Sequence, residues 1–511
     1  MARTVLLLLA LFASRSMLVA QSTRSDNGDG TFTNPVIAAD FPDPDVILVG
    51  DTYYMVTTTM FIFPGVTLLK SRDLVNWAYC SHAVPRFDCS PCYDLDGCHR
   101  YAHGQWATSL RFHGGKFHLL FITLDEGGFT CSAENPEGPW EPRKLPRGFY
   151  DPGLFFDDDG RIYVAHGYGE ISITELHPDF SPAGEDVHVF TGDIRAGLEG
   201  MHVYKINGLY YLYGTYGGRD GIQVALRSKN IYGPYEQKVV IRDTTPGVNF
   251  GIHQGALVQT RTGEWWTVLF VDSGPFGRFP SLQPVTWVED WPMVGIDGKA
   301  VVTCRKPDVG KKYPVTDLPT SDEFDGPSLG MQWGWNHNPD PDNWSLTRRP
   351  GALRLTTGKV VATLREARNT LTQRPFAKYD RDVPTTGTAK LEVGHMKEGD
   401  IAGLAIFQDP YGYIAVKQEE ESRRLIMVNN GKTIESLPMK GTRVYLRTIA
   451  SNSSGKASFE YSFDNKTFTR LGNELSMRFS LKVFTGNKFC LFNFATKETG
   501  GYVDFDWFRV D

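Results

Sequence analysis

Beyond its first twenty residues the 511-residue chain has no apolar run approaching the roughly 20 residues that cross a bilayer as a helix, which excludes helical membrane insertion. The one uninterrupted apolar run, from Val5 to Ala13, is too short for that. It follows Arg3 and precedes a small-residue site at Ala20, the pattern of a cleaved signal peptide over residues 1–20. No cysteine follows the run, so a bacterial lipid anchor is not expected. The expected location is outside the cytoplasm, secreted to the medium or the periplasm. A basic excess is also missing. With 53 Lys and Arg against 59 Asp and Glu the formal net charge is −6, which argues against nucleic acid as a partner. Long amphipathic helical stretches are absent. Cysteine is scarce: there are seven, and four of them, Cys80, Cys89, Cys92 and Cys98, cluster. A small zinc site and a disulfide-stapled loop both fit that cluster. Export favours disulfides, and the pairing stays open. Sequons stand at Asn343, Asn452 and Asn465.

Aromatic side chains, by contrast, are abundant, at 13% of the chain with 32 Phe, 22 Tyr and 11 Trp. They suit pleated, half-buried strand surfaces. A turn pair followed by one variable residue and an aromatic, β-branched run recurs five times. It appears at Gly50-Asp51, Gly114-Gly115, Asp159-Gly160, Asn207-Gly208 and Thr262-Gly263, at intervals of 45 to 64 residues. Such pairs before such runs signal hairpins. The interval holds about four short strands, the size of a propeller blade. The expectation is an all-β fold with a five-bladed β-propeller over residues 30–306.

Eight to ten residues before each turn stand Asp43, Trp106, Asp151, Glu199 and His253. Equivalent positions of successive blades converge on the central channel. Taken singly, Asp43 and Asp151 are turn residues before proline. Taken together, three carboxylates at one channel mouth are costly to bury without partners and point to chemistry or to a metal. Hydrolysis of a glycosidic bond needs two carboxyl groups, one to protonate the leaving oxygen and one to activate water or attack. A third nearby can raise the acid's pKa.

At these positions the chain resembles glycoside hydrolase family 43. The similarity is carried by NPVIAADFPDPDV from Asn34, GQWATSL at Gly104–Leu110, YDPGLFFDDDG at Tyr150–Gly160, LEGMHVYKINGLYYL at Leu198–Leu212, GIHQGAL at Gly251–Leu257 and LQPVTWVEDWPM at Leu282–Met293. The resemblance implies an inverting, exo-acting glycosidase releasing a terminal pentose, α-L-arabinofuranose or β-D-xylose, from plant cell-wall poly- or oligosaccharides. It implies Asp43 as general base, Glu199 as general acid and Asp151 as the carboxylate that orients the acid and raises its pKa. Trp106 and Phe61 are implied as aromatic walls of the pocket, and Arg278 as an arginine contacting the sugar and the acid. No cofactor is required. His253 matches a channel histidine that often lies beside a structural Ca²⁺ or its waters, and a plain core histidine fits as well. The cysteine stretch at 80–98 departs from the family's simplest members, just before Trp106, and leaves the pocket rim undefined. Family-32 fructosidases would show an NDPNG motif and a Glu-Cys pair, whereas here PDPDV and Glu199-Gly200 stand instead.

After a linker at 307–320, residues 321–511 alternate in short strands such as LRLTT, TAKLEVGHM and IAGLAIFQ, which predicts a β-sandwich. This part resembles the concanavalin A-like domain that follows many family-43 β-xylosidases and α-L-arabinofuranosidases, where it packs on the catalytic domain and can lend a loop to the pocket. Trp333, Trp335 and Trp344 fit either an exposed sugar-binding groove or a buried structural role.

Overall fold

The computed structural model describes residues 24–511 apart from 194–196, 245–249 and 381. The segment expected to be a signal peptide lies outside them. Five four-stranded antiparallel sheets follow one another along the chain, each with its strands in sequence order. Blade 1 runs from Asp45–Val49 to Trp77–Val84, and blades 2 to 5 open with Gln105–His113, Gly153–Phe156, Leu198–Ile206 and Ile252–Gln259. Every one of the five turn pairs joins the first and second strands of its blade. The opening strands of successive blades are neighbours, and that of blade 5 meets that of blade 1, closing the ring. The first described strand, Thr31–Thr33, pairs with Thr303–Arg305 and ties the start of the propeller to its end.

A buried carboxylate holds the inner ring. Asp45, fully buried on the opening strand of blade 1, accepts from the Leu110 N–H at 2.8 Å and from Arg111 Nη1 at 2.7 Å in blade 2. His202 of blade 4 comes within 3.3 Å of its other oxygen. Burial alone would raise the Asp45 pKa, but Arg111 and His202 together hold it down at about 2.

Two further sheets face each other in the second domain. One reads, edge to edge, Lys432–Met439, Ser422–Asn429, Gly412–Glu419, Asp400–Phe407, Lys488–Ala495, Leu371–Gln373 and Gly334–Asn336. Its last strand comes from the propeller: Ile62–Phe63 pairs with Gly334–Asn336, so the sheet crosses the domain boundary. The other is built around Thr385–His395 and Tyr502–Val510. Trp333 and Trp335 are buried at 3% exposure in the sandwich core, which removes them from any exposed groove, and Trp344 packs beside Trp335.

The cysteine stretch forms a loop against the sandwich. Cys92 and Cys98 are disulfide-bonded, Cys80 is buried in blade 1, and Cys89 is exposed and unbonded. His337 accepts from the Arg100 N–H at 2.8 Å, and the Asn338 amide bonds both backbone groups of Phe87. The loop is thus a wedge fixed from both domains.

Candidate active site

The five positions converge by two local devices. Asp43 and Asp151 each sit two residues ahead of an opening strand, with φ of 54° and 46°. Aspartate tolerates this left-handed conformation better than most residues, and the turn aims each carboxylate across the channel mouth. Trp106, Glu199 and His253 are each the second residue of an opening strand, Trp106 within and the other two immediately before a register shift in its pairing with the next strand. A bulge there inserts extra residues on one side and turns the side chain out of the sheet.

Asp43 is buried, and Arg278 Nη1 donates to its Oδ1 at 2.8 Å. Tyr150 Oη donates to Glu199 Oε2 at 3.1 Å. Burial raises the Glu199 pKa to about 7, Asp43 adds to the rise, and the Tyr150 bond and the Arg278 charge oppose it. Asp151 is raised well above the ordinary carboxylate range, by burial first and then by the charges of Glu199 and Asp43. The buried Asp43 and Asp151 and the half-buried Glu199 lie in the field of one guanidinium, and the Asp151–Glu199 pair is pushed toward keeping a proton near neutrality. The repulsion between Asp151 and Glu199 belongs to the pair, so the rise at Asp151 and the help expected for the acid are one interaction.

The expected walls divide. Trp106 is half-buried and anchored by its Nε1–H to the Ala102 carbonyl at 3.1 Å. It stacks on Phe484 with 4.9 Å between ring centroids and lies 6.1 Å from Tyr150. Phe61 is placed differently. At 1% exposure it packs edge-on to Tyr101 and against His337, with no face left for a sugar. Its expected wall position becomes a supporting one in the interdomain core. Arg278 is buried beneath Phe270, Phe484 and Phe479, each ring centroid between 5.2 and 5.9 Å from its guanidinium carbon. Phe479 and Phe484 come from the sandwich. Arg278 Nε and Nη2 and Asp151 Oδ1 are buried with no hydrogen-bond partner among the described residues. An unsatisfied buried polar group costs about 1–3 kcal/mol, so three at one mouth form a receiving set for a polyhydroxy ligand.

His253 is 2% exposed, edge-on to Phe270, with Nε2 3.6 Å from Asp272 Oδ2. Ca²⁺ takes six to eight oxygen ligands. Beside His253 the protein supplies one carboxylate, Asp272, and among the described residues no group of three or more His, Cys, Asp or Glu could hold a metal ion. The cysteine loop likewise offers no zinc site.

Tyr150, Phe479 and Phe484 are the site residues that sequence reasoning did not name. Tyr150 adjoins Asp151 and could have been found in YDPG. The two phenylalanines carry no local signal, being some 200 residues downstream of Arg278 in another domain.

A propeller with three carboxyl groups and one arginine at its channel mouth is the site of a glycosidase. The comparisons agree. Residues 32–292 match the model of glycosyl hydrolases family 43, and residues 321–511 match the beta-xylosidase C-terminal concanavalin A-like domain. A beta-xylosidase of Formosa agariphila is 35% identical over 95% of this chain and 91% of its own length. A non-reducing end alpha-L-arabinofuranosidase of Bacteroides ovatus is 32% identical, covering 78% of each chain. Among solved structures, a bifunctional family-43 protein of Bacteroides eggerthii superposes with a TM-score of 0.86 at 38% identity. That match covers 94% of this chain, which spans 63% of the longer bifunctional one. The chain belongs to glycoside hydrolase family 43, and it is a glycosidase.

Proposed function

We propose that the protein is an exo-acting, inverting glycosidase that removes single terminal pentoses, β-D-xylose or α-L-arabinofuranose, from plant hemicellulose or pectin side chains. The observation that carries this reading is the convergence of Asp43, Asp151 and Glu199 around Arg278. Glu199, with its pKa near 7, protonates the glycosidic oxygen as the bond breaks. Asp43, held by Arg278, takes a proton from the water that attacks the opposite face of the sugar. Asp151 Oδ1 and the free Arg278 N–H groups bind sugar hydroxyls. The chemistry needs these side chains and water. The stacked pair of Trp106 and Phe484 suits a pocket for one terminal sugar. The relatives named as a beta-xylosidase and an arabinofuranosidase support both pentoses. An arabinan or galactan specificity would use the same three carboxyl groups. A propeller retained only for carbohydrate binding gives no reason for all three to converge.

Export completes the reading. The composition of residues 1–20 and the Cys92–Cys98 disulfide both favour an oxidising compartment.

Initial rates on p-nitrophenyl β-D-xyloside and α-L-arabinofuranoside rank the two sugars, and digestion of an arabinoxylan should release monosaccharide from the first time points. Proton NMR in the first minutes should show the anomer opposite to that of the substrate. Retention of configuration, or early internal oligosaccharides, would overturn the mechanism or the exo action respectively.

A further inference from the structure

Asp40 lies three residues before Asp43, at the seam between the two domains, and its buried side chain bridges them. Its Oδ1 accepts the backbone N–H of Arg278 at 3.0 Å. Its Oδ2 accepts the Gly486 N–H at 2.8 Å and Lys488 Nζ at 2.7 Å, both from the sandwich. Asp40 and Lys488 are each 3% exposed. The Phe41 N–H donates to the Arg278 carbonyl at 3.0 Å, so residues 40 and 41 clasp Arg278 on both backbone sides. Arg374, again from the sandwich, donates Nε–H to the Asp40 carbonyl at 2.7 Å and lies over the Phe41 ring.

The fit is made by close backbone approach. A Cβ on Gly277 would lie 2.2 Å from Asp40 Oδ1, and one on Gly486 would lie 2.1 Å from the Phe276 carbonyl oxygen. Asn487 donates its backbone N–H and its Nδ2 to the Pro275 carbonyl. The sandwich segment 484–488 is therefore fastened along 275–278, the stretch that ends in Arg278. The same segment carries Phe484, which covers the Arg278 guanidinium.

We propose that the Asp40–Lys488 pair is a positioning device through which the sandwich fixes Arg278, and through Arg278 the Asp43 carboxylate. The pair is buried within the seam. Its charges meet within the seam, with Arg278 and Arg374 as the neighbouring cations. A buried pair that loses one partner leaves an uncompensated charge, and here that charge adjoins the Arg278 backbone. Displacing a reacting group by about 1 Å can cost on the order of 100-fold in rate. The inference rests on the reading of Asp43 and Arg278 given under the proposed function.

The test uses the full-length enzyme and a p-nitrophenyl pentoside that it cleaves. Lys488→Met should lower kcat about 10- to 100-fold with KM changed less than about threefold, in protein whose melting is still cooperative. Lys488→Arg, which keeps the cation, should recover part of the loss. A double-mutant cycle with Arg278→Lys should be strongly non-additive, because the second change removes the group through which the first acts. Should Lys488→Met not fold, the near-isosteric Asp40→Asn enters the same cycle. A lowered melting temperature with unchanged kcat, or additive losses in the cycle, would overturn the positioning role. An active Asp43→Asn variant would instead overturn the functional reading, and that outcome is separable because it leaves the cycle measurable.

Discussion

Glu199 is the residue on which the chemistry turns. A general acid contributes about 10²–10⁴-fold, so Glu199→Gln should lose that much on oligosaccharides. A 2,4-dinitrophenyl glycoside, whose leaving group needs little protonation, should be spared most of the loss. Equal losses on both substrates would remove Glu199 from the acid's role. The pH profile tests the surroundings of the same group. With a pKa of about 7 in the free enzyme, Glu199 should give kcat/KM a falling limb near neutrality as the acid loses its proton. The Tyr150 hydrogen bond stabilises the carboxylate and pulls that pKa down. Tyr150→Phe should therefore move the falling limb to higher pH, and a downward shift would contradict the assigned bond. The three carboxylates were legible in the sequence because each occupies the same place in a repeat, so periodicity supplied what no single Asp-Pro could. Phe61 lies beyond that signal. It follows the second strand of blade 1, where a pocket wall and a domain seam read alike in one dimension, and only the sandwich's arrival at His337 decides between them.

Among the elements, the starts of the opening strands do two jobs at once: they aim site groups and they lock the ring. Asp45 carries the locking. Its fully buried carboxylate joins blades 1, 2 and 4 through Arg111, Leu110 and His202. Asp45→Ala removes the buried half of a pair and leaves the partly buried Arg111 without its partner, a change that costs about 3 kcal/mol. Calorimetry should show a corresponding fall in the melting temperature, and an unshifted Tm would mean that the network is idle. Linkage gives the same group a direction in pH. Its folded pKa of about 2 lies below the value of about 3.9 for an unfolded aspartate. The stability it contributes is therefore full above about pH 4 and is lost as pH falls toward 2. Hairpins were the readable part of these elements, since each Gly- or Asn-containing pair fixes a turn locally. The bulges at Trp106, Glu199 and His253 were not readable, because a register shift depends on the partner strand.

At the scale of the molecule the two domains share structure to an extent that their sequences do not announce. A propeller strand, Ile62–Phe63, completes a sandwich sheet. One hydrophobic cluster contains Met60, Phe61, Ile62 and Tyr101 from the propeller together with Ile401, Phe407, Tyr413 and Phe492 from the sandwich. The site itself is roofed by Phe479 and Phe484. Composition marks a linker between the domains, but a linker says nothing about how tightly the flanking parts bind. These contacts predict one cooperative unit. Thermal unfolding of the intact chain should give a single calorimetric transition whose van't Hoff and calorimetric enthalpies agree. A propeller ending at residue 320 would uncover Phe61, Ile62 and Tyr101 as a contiguous apolar patch, and patches of that kind drive association. It would also lose the aromatic roof of Arg278 and the partner of Asp40. Expressed alone, residues 24–320 should aggregate or, if kept in solution, show no hydrolysis of p-nitrophenyl pentosides under conditions where the intact chain is active. A soluble, active propeller, or two separate transitions in the intact chain, would show that the sandwich is an accessory to this site and not a part of it.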